Sequence, residues 1–192
     1  MYPKYVEVNG KKYKINTSYR YALKCNEIAE DENINDIERA LAIIYILFGE
    51  DALNDVENRQ LLIEKARKYL MCNQEPTNNK DRDMDFNQDF PLIRTSLRSD
   101  YGINLDKEDL HWWEFFDLVN GLSNSEMGNC CVLNRVRNIR NFDLSEIQDA
   151  KQKEKIKKAK REVALKSKKK TYQTKEQKQS ARDFYTNLYR KE

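Results

Sequence analysis

The sequence has few of the residues that build catalytic, metal or disulfide sites. Among its 192 residues it has one histidine, His111, and four cysteines, none of which forms a C-x-x-C pair. Because zinc sites draw on several cysteine and histidine ligands at short spacing, we expect no structural metal. Adjacent Cys130 and Cys131 have poor geometry for a mutual disulfide, so we expect free and mostly buried thiols.

Glycine, proline and long apolar runs are also scarce. The chain has 5 glycines and 3 prolines, which makes long helices the default expectation. No apolar run approaches the roughly 20 residues of a membrane span, and the first residues lack the apolar stretch of a signal peptide. No glycine-rich phosphate loop is present either. We therefore expect a soluble protein of cytoplasmic type that binds no cofactor and does not contact a membrane.

The single histidine is a poor candidate for a general base. His111 stands between Leu110 and Trp112, and a base needs an oriented partner as well as a suitable pKa. A Ser-His or Cys-His system would depend on this one imidazole. We interpret it as a packed or surface-edge histidine, and we predict that the protein is not an enzyme.

A polar stretch in the middle of the chain resembles a calcium-binding loop only superficially. Its alternating acidic residues are Asp81, Asp83, Asp85 and Asp89. Counted from the first of them, the position that requires glycine holds Phe86, and the position that requires a bidentate glutamate holds Leu92. We interpret these aspartates as a solvated acidic loop. They overlap residues 73–85, which we interpret as a surface loop in preference to a hinge.

The net charge of +3 is an average over two unlike parts. Residues 151–192 have 16 basic and 5 acidic side chains, a net charge of +11, whereas residues 1–150 have a net charge of −8. Such a split usually marks parts with different partners or different degrees of order. We predict a hairpin plus helical domain over residues 1–142 and a basic helical extension over residues 143–192.

The start of the chain predicts a β-hairpin. Asn9-Gly10 is a favoured two-residue turn because both residues tolerate positive φ. That turn places Val6 opposite Tyr13, with Val8 and Tyr13 on one face. A lone hairpin is marginally stable in water, so we expect it to pack on the helices that follow.

Hydrophobic periodicity predicts three helices after the hairpin. The first spans about residues 17–29. The second is capped by Asn35 or Asp36, and its broad apolar stripe makes it the best candidate for the central core helix. The third spans about residues 57–72. The fold class is therefore mainly α, with an N-terminal β-hairpin packed on a multi-helix domain.

Four further helices are predicted in the second half of the chain. One ends at Gly102, with Tyr101 turned inward. The next is capped by Asp106 and has a broad, mostly buried aromatic stripe. A helix over residues 125–140 follows, and a long basic helix or arm begins at Asp143.

The basic extension is the clearest candidate for contacts with a partner. Residues 151–170 have 11 basic and 2 acidic side chains, nearly all of the basic ones lysine, and no interleaved aromatic residue. They could neutralise phosphates, but base reading and stacking are disfavoured. A solvated helix face or docking on an acidic protein is favoured over nucleic acid. The candidate contacts are Lys155, Lys157, Lys158, Lys160 and Arg161.

The end of the chain has aromatic and apolar residues spaced four apart. The spacing predicts a short amphipathic turn that either folds back on the domain or docks on another chain as a helix in a groove. The residues concerned are Phe184, Tyr185, Leu188 and Tyr189.

The central segment resembles the signature of a phage family known as gene product fifteen. The resemblance rests on the runs DYGINL (residues 100–105), LHWWEFF (110–116) and GLS (121–123). Asn104 departs from the aspartate usual in the family, which concerns local capping. The signature residues, which are also predicted core, are Tyr101, Gly102, Leu105, Leu110, His111, Trp112, Trp113, Phe115, Phe116 and Leu122.

The resemblance implies a non-catalytic tail-assembly chaperone of long-tailed phages and prophages of Gram-positive bacteria. Such proteins bind the tape-measure protein in the host cytoplasm, assist assembly of the tail-tube protein around it, and are absent from the mature virion. Self-association is a further possibility. Two alternatives stay open: a small nucleic-acid-binding or regulatory phage protein that uses the lysine-rich arm, and a structural tail-completion protein that is retained in the virion.

Overall fold

The computed structural model describes residues 1–31, 33–75, 82–124 and 130–166. Over these residues the protein is mainly helical and has one N-terminal antiparallel hairpin, which confirms the predicted fold class. The elements are β1 (Tyr5–Val8), β2 (Lys11–Lys14), α1 (Tyr19–Ala29), α2 (Asp36–Phe48), α3 (Glu50–Asn54), α4 (Arg59–Leu70), α5 (Phe90–Tyr101), α6 (Trp112–Asn120), α7 (Val132–Asn141), the one-turn 3₁₀ helix Leu144–Glu146, and α8 (Ala150–Val163).

The chain divides into two compact units. The first comprises the described residues up to 75 together with residues 110–113. The second comprises the described residues 82–109 and 114–166, and therefore includes α8. The division predicted between residues 142 and 143 stays a prediction, because residues 167–192 lie outside the described part of the chain.

The hairpin has the predicted turn and register. Asn9 and Gly10 both have positive φ, at 49° and 78°, as the mirror-image turn of a tight hairpin requires. Val6 pairs with Tyr13, and Val8 and Tyr13 are buried together on one face. Ile15 extends this face beyond the strand and is also buried.

Helices α1 and α2 of the first unit begin at polar side-chain caps. The Ser18 hydroxyl accepts a hydrogen bond from the N–H of Arg20 at the start of α1. Asn35 caps α2 as predicted, in a reciprocal capping box with Glu38. Ile44 and Leu47 of α2 are fully buried, which places this helix in the core of its unit.

The first unit differs from the prediction in one helix start and in one additional short helix. The segment expected to be helical from about residue 57 begins at Arg59, and it is preceded by the short helix α3. Gly49 separates α2 from α3 with φ at 83°, a conformation that a glycine adopts without steric cost. Periodicity cannot detect a five-residue helix such as α3, because it contributes only one fully buried side chain, Ala52.

Helix α5 ends at Gly102 as predicted, but its last residue is not inward. Tyr101 is 41% exposed. Gly102 adopts the left-handed conformation that ends a helix. The Tyr101 ring instead reaches the residue after α6, since a Cβ built on Gly121 would lie 2.9 Å from the Tyr101 hydroxyl. Glycine at 121 is therefore explained by this close approach.

The predicted starts of α6 and α8 were wrong. Asp106 lies in a turn held by Asn104, whose side chain accepts the Asp106 N–H, and α6 begins only at Trp112. Asp143 caps only the 3₁₀ turn that follows it. Asp149 caps α8, because the extended backbone at Ile147 interrupts the helix.

Within the described ranges, no helix is long and apolar enough to cross a membrane.

Candidate functional site: the LHWW segment and the basic helix

His111 is the N-cap of α6. Its Nδ1 accepts the backbone N–H of Trp113 at 3.0 Å, and its Nε2 lies 2.9 Å from the Pro3 carbonyl oxygen. A carbonyl only accepts hydrogen bonds, so the network assigns the ring proton to Nε2, which donates to Pro3. The Tyr2 ring stacks on the imidazole with centroids 5.0 Å apart. Both ring nitrogens are therefore engaged in holding the first unit together.

The two tryptophans of the signature close the C-terminal end of α4. The Trp112 indole N–H donates to the Leu70 carbonyl at 3.0 Å, and the Trp113 indole N–H donates to the Tyr69 carbonyl at 2.9 Å. The last carbonyls of a helix have no partner within the regular hydrogen-bond pattern of the helix, and the two indoles supply donors to two of them. Trp112 is 1% exposed. The LHWW segment is thus also a C-terminal cap for α4.

Backbone hydrogen bonds join the same segment to the start of α1. Tyr19 N–H donates to the Leu110 carbonyl at 2.9 Å, and Trp112 N–H donates to the Thr17 carbonyl at 2.7 Å. Four consecutive residues therefore contact the N-terminal segment, the start of α1 and the end of α4. Sequence reasoning found these residues through the family resemblance but did not identify this role.

Tyr69 lies between the ring systems of this segment. Its ring stacks with Trp113 at 6.0 Å and meets His111 edge-on at 6.1 Å. Among the described residues its hydroxyl is buried without a hydrogen bond. Burial raises the pKa of Tyr69 well above the usual phenol range, and nearby Cys72 adds to the effect.

The remaining signature residues form an aromatic core in the second unit. The Phe86 ring lies 6.2 Å from the rings of both Phe115 and Phe116. Leu105, Phe115 and Leu122 are buried, whereas Tyr101 and Gly102 are exposed at the end of α5.

The acidic stretch is largely structural, so its interpretation as a solvated loop was wrong for two of its residues. Asp85 and Asp89 are 1% and 3% exposed. Arg140 binds the Asp89 carboxylate with two parallel hydrogen bonds of 2.7 and 2.8 Å. Asp85 accepts the N–H groups of Asn87 and Gln88 at 2.8 Å. Asp81 lies outside the described residues.

Asp83 joins the same network at its edge. Its carboxylate accepts hydrogen bonds from Arg137 at 3.2 Å and from Asn141 at 2.8 Å. Burial disfavours the charge, but these two partners outweigh it and hold the pKa of Asp83 below its usual value. The signal available in the sequence was the arginine pair of α7, three residues apart, whose charge is opposite to that of the aspartates.

The five basic candidates of α8 differ in exposure. Lys155, Lys158 and Arg161 are exposed. Lys160 is half-buried and donates to the Phe142 carbonyl at 2.7 Å. Lys157 is half-buried and forms an ion pair with Glu154 at 2.9 Å.

Helix α8 is anchored to the second unit mainly by polar contacts. Arg140 Nε donates to the Val163 carbonyl at 2.6 Å. The Gln88 side chain both donates to the carbonyl and accepts from the N–H of Lys166, at 3.2 and 2.9 Å. No side chain of α8 is fully buried. Candidate contacts Phe184, Tyr185, Leu188 and Tyr189 lie outside the described residues.

Over the described ranges, no group of three or more histidine, cysteine, aspartate or glutamate side chains is placed to hold a metal ion.

Comparison with known proteins gives a family and no individual relative. No curated protein and no solved structure matches the chain. A family model described as "Bacteriophage Gp15 protein" matches residues 2–165, which include the hairpin, the LHWW segment and α8. The match confirms the resemblance drawn from the signature and indicates a phage structural or assembly-related protein. The chain belongs to the bacteriophage Gp15 protein family.

Proposed function

We propose that this protein is a tail-assembly chaperone that binds the tape-measure protein of its phage. It keeps that long helical chain in solution in the host cytoplasm until tail-tube subunits polymerise around it, and it then leaves. Family membership over residues 2–165 is the observation that carries the proposal. A non-catalytic role is supported by the signature residues, because His111 and both tryptophans make internal contacts.

Co-expression with the tape-measure protein of the same phage tests the proposal. An affinity tag on the chaperone is expected to recover the tape-measure protein at a defined stoichiometry. An R140M variant, which removes the partner of buried Asp89, is expected to recover less tape-measure protein, because its folded state is less stable. Absence of the tape-measure protein from a pull-down with folded wild-type chaperone would contradict the proposal.

The basic extension has a separate test. If it contributes through charge, deletion of residues 151–192 reduces recovery of the tape-measure or tail-tube protein, and added salt weakens the intact complex. Unchanged recovery by the deletion variant at low salt would exclude a charge-based role for the extension.

The nucleic-acid alternative rests on the exposed lysines of α8. A protein that neutralises phosphates loses affinity for random duplex DNA steeply as salt rises. A measurable DNA affinity with that dependence, in a chain that does not bind the tape-measure protein, would favour the alternative.

The virion-retention alternative concerns the fate of the protein after assembly. Mass spectrometry of purified particles separates a chaperone from a tail-completion protein. We expect to detect the protein in lysates of infected cells and not in the purified particles.

A further inference from the structure

One side of α8 forms a ridge of exposed charges with both signs. At 3.6 residues per turn, residues spaced three or four apart fall on the same side of a helix. The ridge, called the α8 ridge below, has four basic and two acidic side chains, all of them exposed. Its members are Lys151, Glu154, Lys155, Lys158, Arg161 and Glu162.

The opposite side of α8 fixes the ridge in place. Ile156, Ala159 and Val163 are half-buried on that side. Lys160 also points there, bound to the Phe142 carbonyl, and Arg140 holds the Val163 carbonyl. Because one side of the helix is held by the second unit, the α8 ridge is presented as a preorganised surface, which lowers the entropy cost of binding a partner.

Ion pairs within the ridge leave much of its charge available. The contacts of Lys158 with Glu162 and of Arg161 with Glu154 are long, at 4.0 and 3.9 Å. In the described part of the chain, the one short ion pair of a ridge residue, Glu154 with Lys157 at 2.9 Å, is solvent-exposed. Lys151 and Lys155 have no ion pair or hydrogen bond among the described residues. Exposed pairs of this kind contribute little stability, so a partner that offers carboxylates can replace them.

The alternation of sign favours a protein partner over nucleic acid. A phosphate backbone presents one sign of charge along its whole length, so it would meet Glu154 and Glu162 as well as the lysines. A helix with acidic residues three or four apart can neutralise the lysines, and it can place basic residues opposite the two glutamates. Complementary patterns of this type determine partner choice and register between helices.

We infer that the α8 ridge is a docking surface for a helical protein segment of mixed charge, with acidic residues facing Lys151, Lys155 and Lys158. The inference deepens the proposed function, on which it rests for a long helical partner. It leaves out two of the basic contacts considered from the sequence, because Lys160 binds the Phe142 carbonyl and Lys157 is half-buried and paired with Glu154.

The test uses the full chain and two fluorescent helical peptides of equal composition. In the first peptide the acidic residues lie on one face at a spacing of three or four; in the second they are distributed around the helix. Anisotropy titrations at low salt are expected to show that wild type binds the first peptide more tightly. The K151E/K155E/K158E variant is expected to lose at least about tenfold in affinity, because three favourable charge contacts become repulsive.

A matched control reverses three exposed lysines of the first unit. The K14E/K65E/K68E variant has the same change in net charge and is expected to stay within about twofold of wild type. Circular dichroism verifies the fold of both variants, and K151Q/K155Q/K158Q replaces the ridge variant if reversal unfolds α8. Equal losses in ridge and control variants, no preference between the peptides, no peptide binding, or tighter binding of duplex DNA than of the first peptide would each overturn the inference.

Failure of this inference can be distinguished from failure of the proposed function. If wild type recovers the tape-measure protein but the peptide assay shows no dependence on the α8 ridge, only the inference fails. If the peptide assay depends on the ridge but no tape-measure protein is recovered, the proposed function fails and the docking surface stands.

Discussion

At the scale of single residues, the arginines of α7 have unequal roles. Arg140 is almost completely enclosed and binds Asp89, the Asp83 carbonyl and the Val163 carbonyl. Arg137 is more exposed, and its acidic partner Asp83 is also partly exposed. Removing one partner of a buried pair leaves an uncompensated charge, whereas removing one partner of an exposed pair does not.

The substitutions R140M and R137M test this difference. R140M is expected to lower the free energy of unfolding by about 3–5 kcal/mol, and R137M by less than about 1 kcal/mol. Urea unfolding followed by circular dichroism measures both on the same scale. Small and similar losses in the two variants would show that the Asp89–Arg140 pair is not a major stabilising contact.

Asp55 stabilises the fold in a pH-dependent way. Hydrogen bonds from Lys11, Tyr13 and Asn58 hold the pKa of its carboxyl far below the usual range. A folded-state pKa below the unfolded value means that Asp55 stabilises the fold above the unfolded value of about 3.9. That stability is lost as the pH falls from there towards the folded pKa.

The stability of the D55N variant is expected to decrease less than that of wild type as the pH is lowered. The variant is also expected to be less stable near neutral pH, because the Lys11 ion pair is lost. Thermal unfolding from pH 7 to pH 2 records both effects, and D51N at an exposed site of the same helix–turn region is the matched control. The same dependence of thermal stability on pH in wild type and D55N would contradict a lowered pKa for Asp55 in the folded protein.

At the scale of elements, local signals predicted some boundaries and tertiary contacts set the others. The Asn9-Gly10 turn and the Asn35 cap act within a few residues, so a sequence pattern was enough to locate β1, β2 and α2. The start of α6 depends on His111, whose orientation is fixed by the Pro3 carbonyl 108 residues away. Asp106 was the better cap by residue type, but it lies in the turn held by Asn104.

The capping of α4 by two indoles gives a prediction at this scale. The W112F and W113F substitutions each keep one aromatic ring, and each removes the indole N–H together with the second ring. The Tyr69 carbonyl also accepts the Cys72 N–H. Within the described ranges, the Leu70 carbonyl accepts only the Trp112 indole N–H. W112F is therefore expected to cost about 1–3 kcal/mol, because it leaves a part-buried acceptor unsatisfied, and W113F about 1 kcal/mol.

Chemical denaturation of both variants checks the order. Amide hydrogen exchange at the C-terminal turn of α4 adds a local readout, because loss of its cap is expected to increase opening there. A larger loss for W113F than for W112F would contradict the capping account.

At the scale of the whole molecule, the sequence was enough to predict the fold class and the family, but not which charged residues are buried. The fold class, the hairpin and the family followed from turns, periodicity and the LHWW signature. The roles of charged residues did not, because Asp89 is buried against Arg140, which lies 51 residues later in the chain. For the same reason, periodicity alone could not show that Lys160 is anchored inward while Lys155 is exposed.

The net charge of +3 therefore conceals two kinds of charge in the folded protein. Some charged residues, such as Asp89 and Arg140, stabilise the second unit from within. Others, such as Lys151 and Lys155, are exposed, and we infer that they contact a charged partner. A change to the first kind is expected to act through stability, and a change to the second kind through binding.

The central claim is that the protein keeps the tape-measure protein of its phage in solution. The most direct measurement is the fraction of tape-measure protein in the soluble part of a lysate, with and without co-expressed chaperone, at matched expression levels. We expect the tape-measure protein to be mostly aggregated when expressed alone and soluble in a complex with the wild-type chaperone. An unchanged soluble fraction in the presence of folded chaperone would contradict the proposed chaperone function.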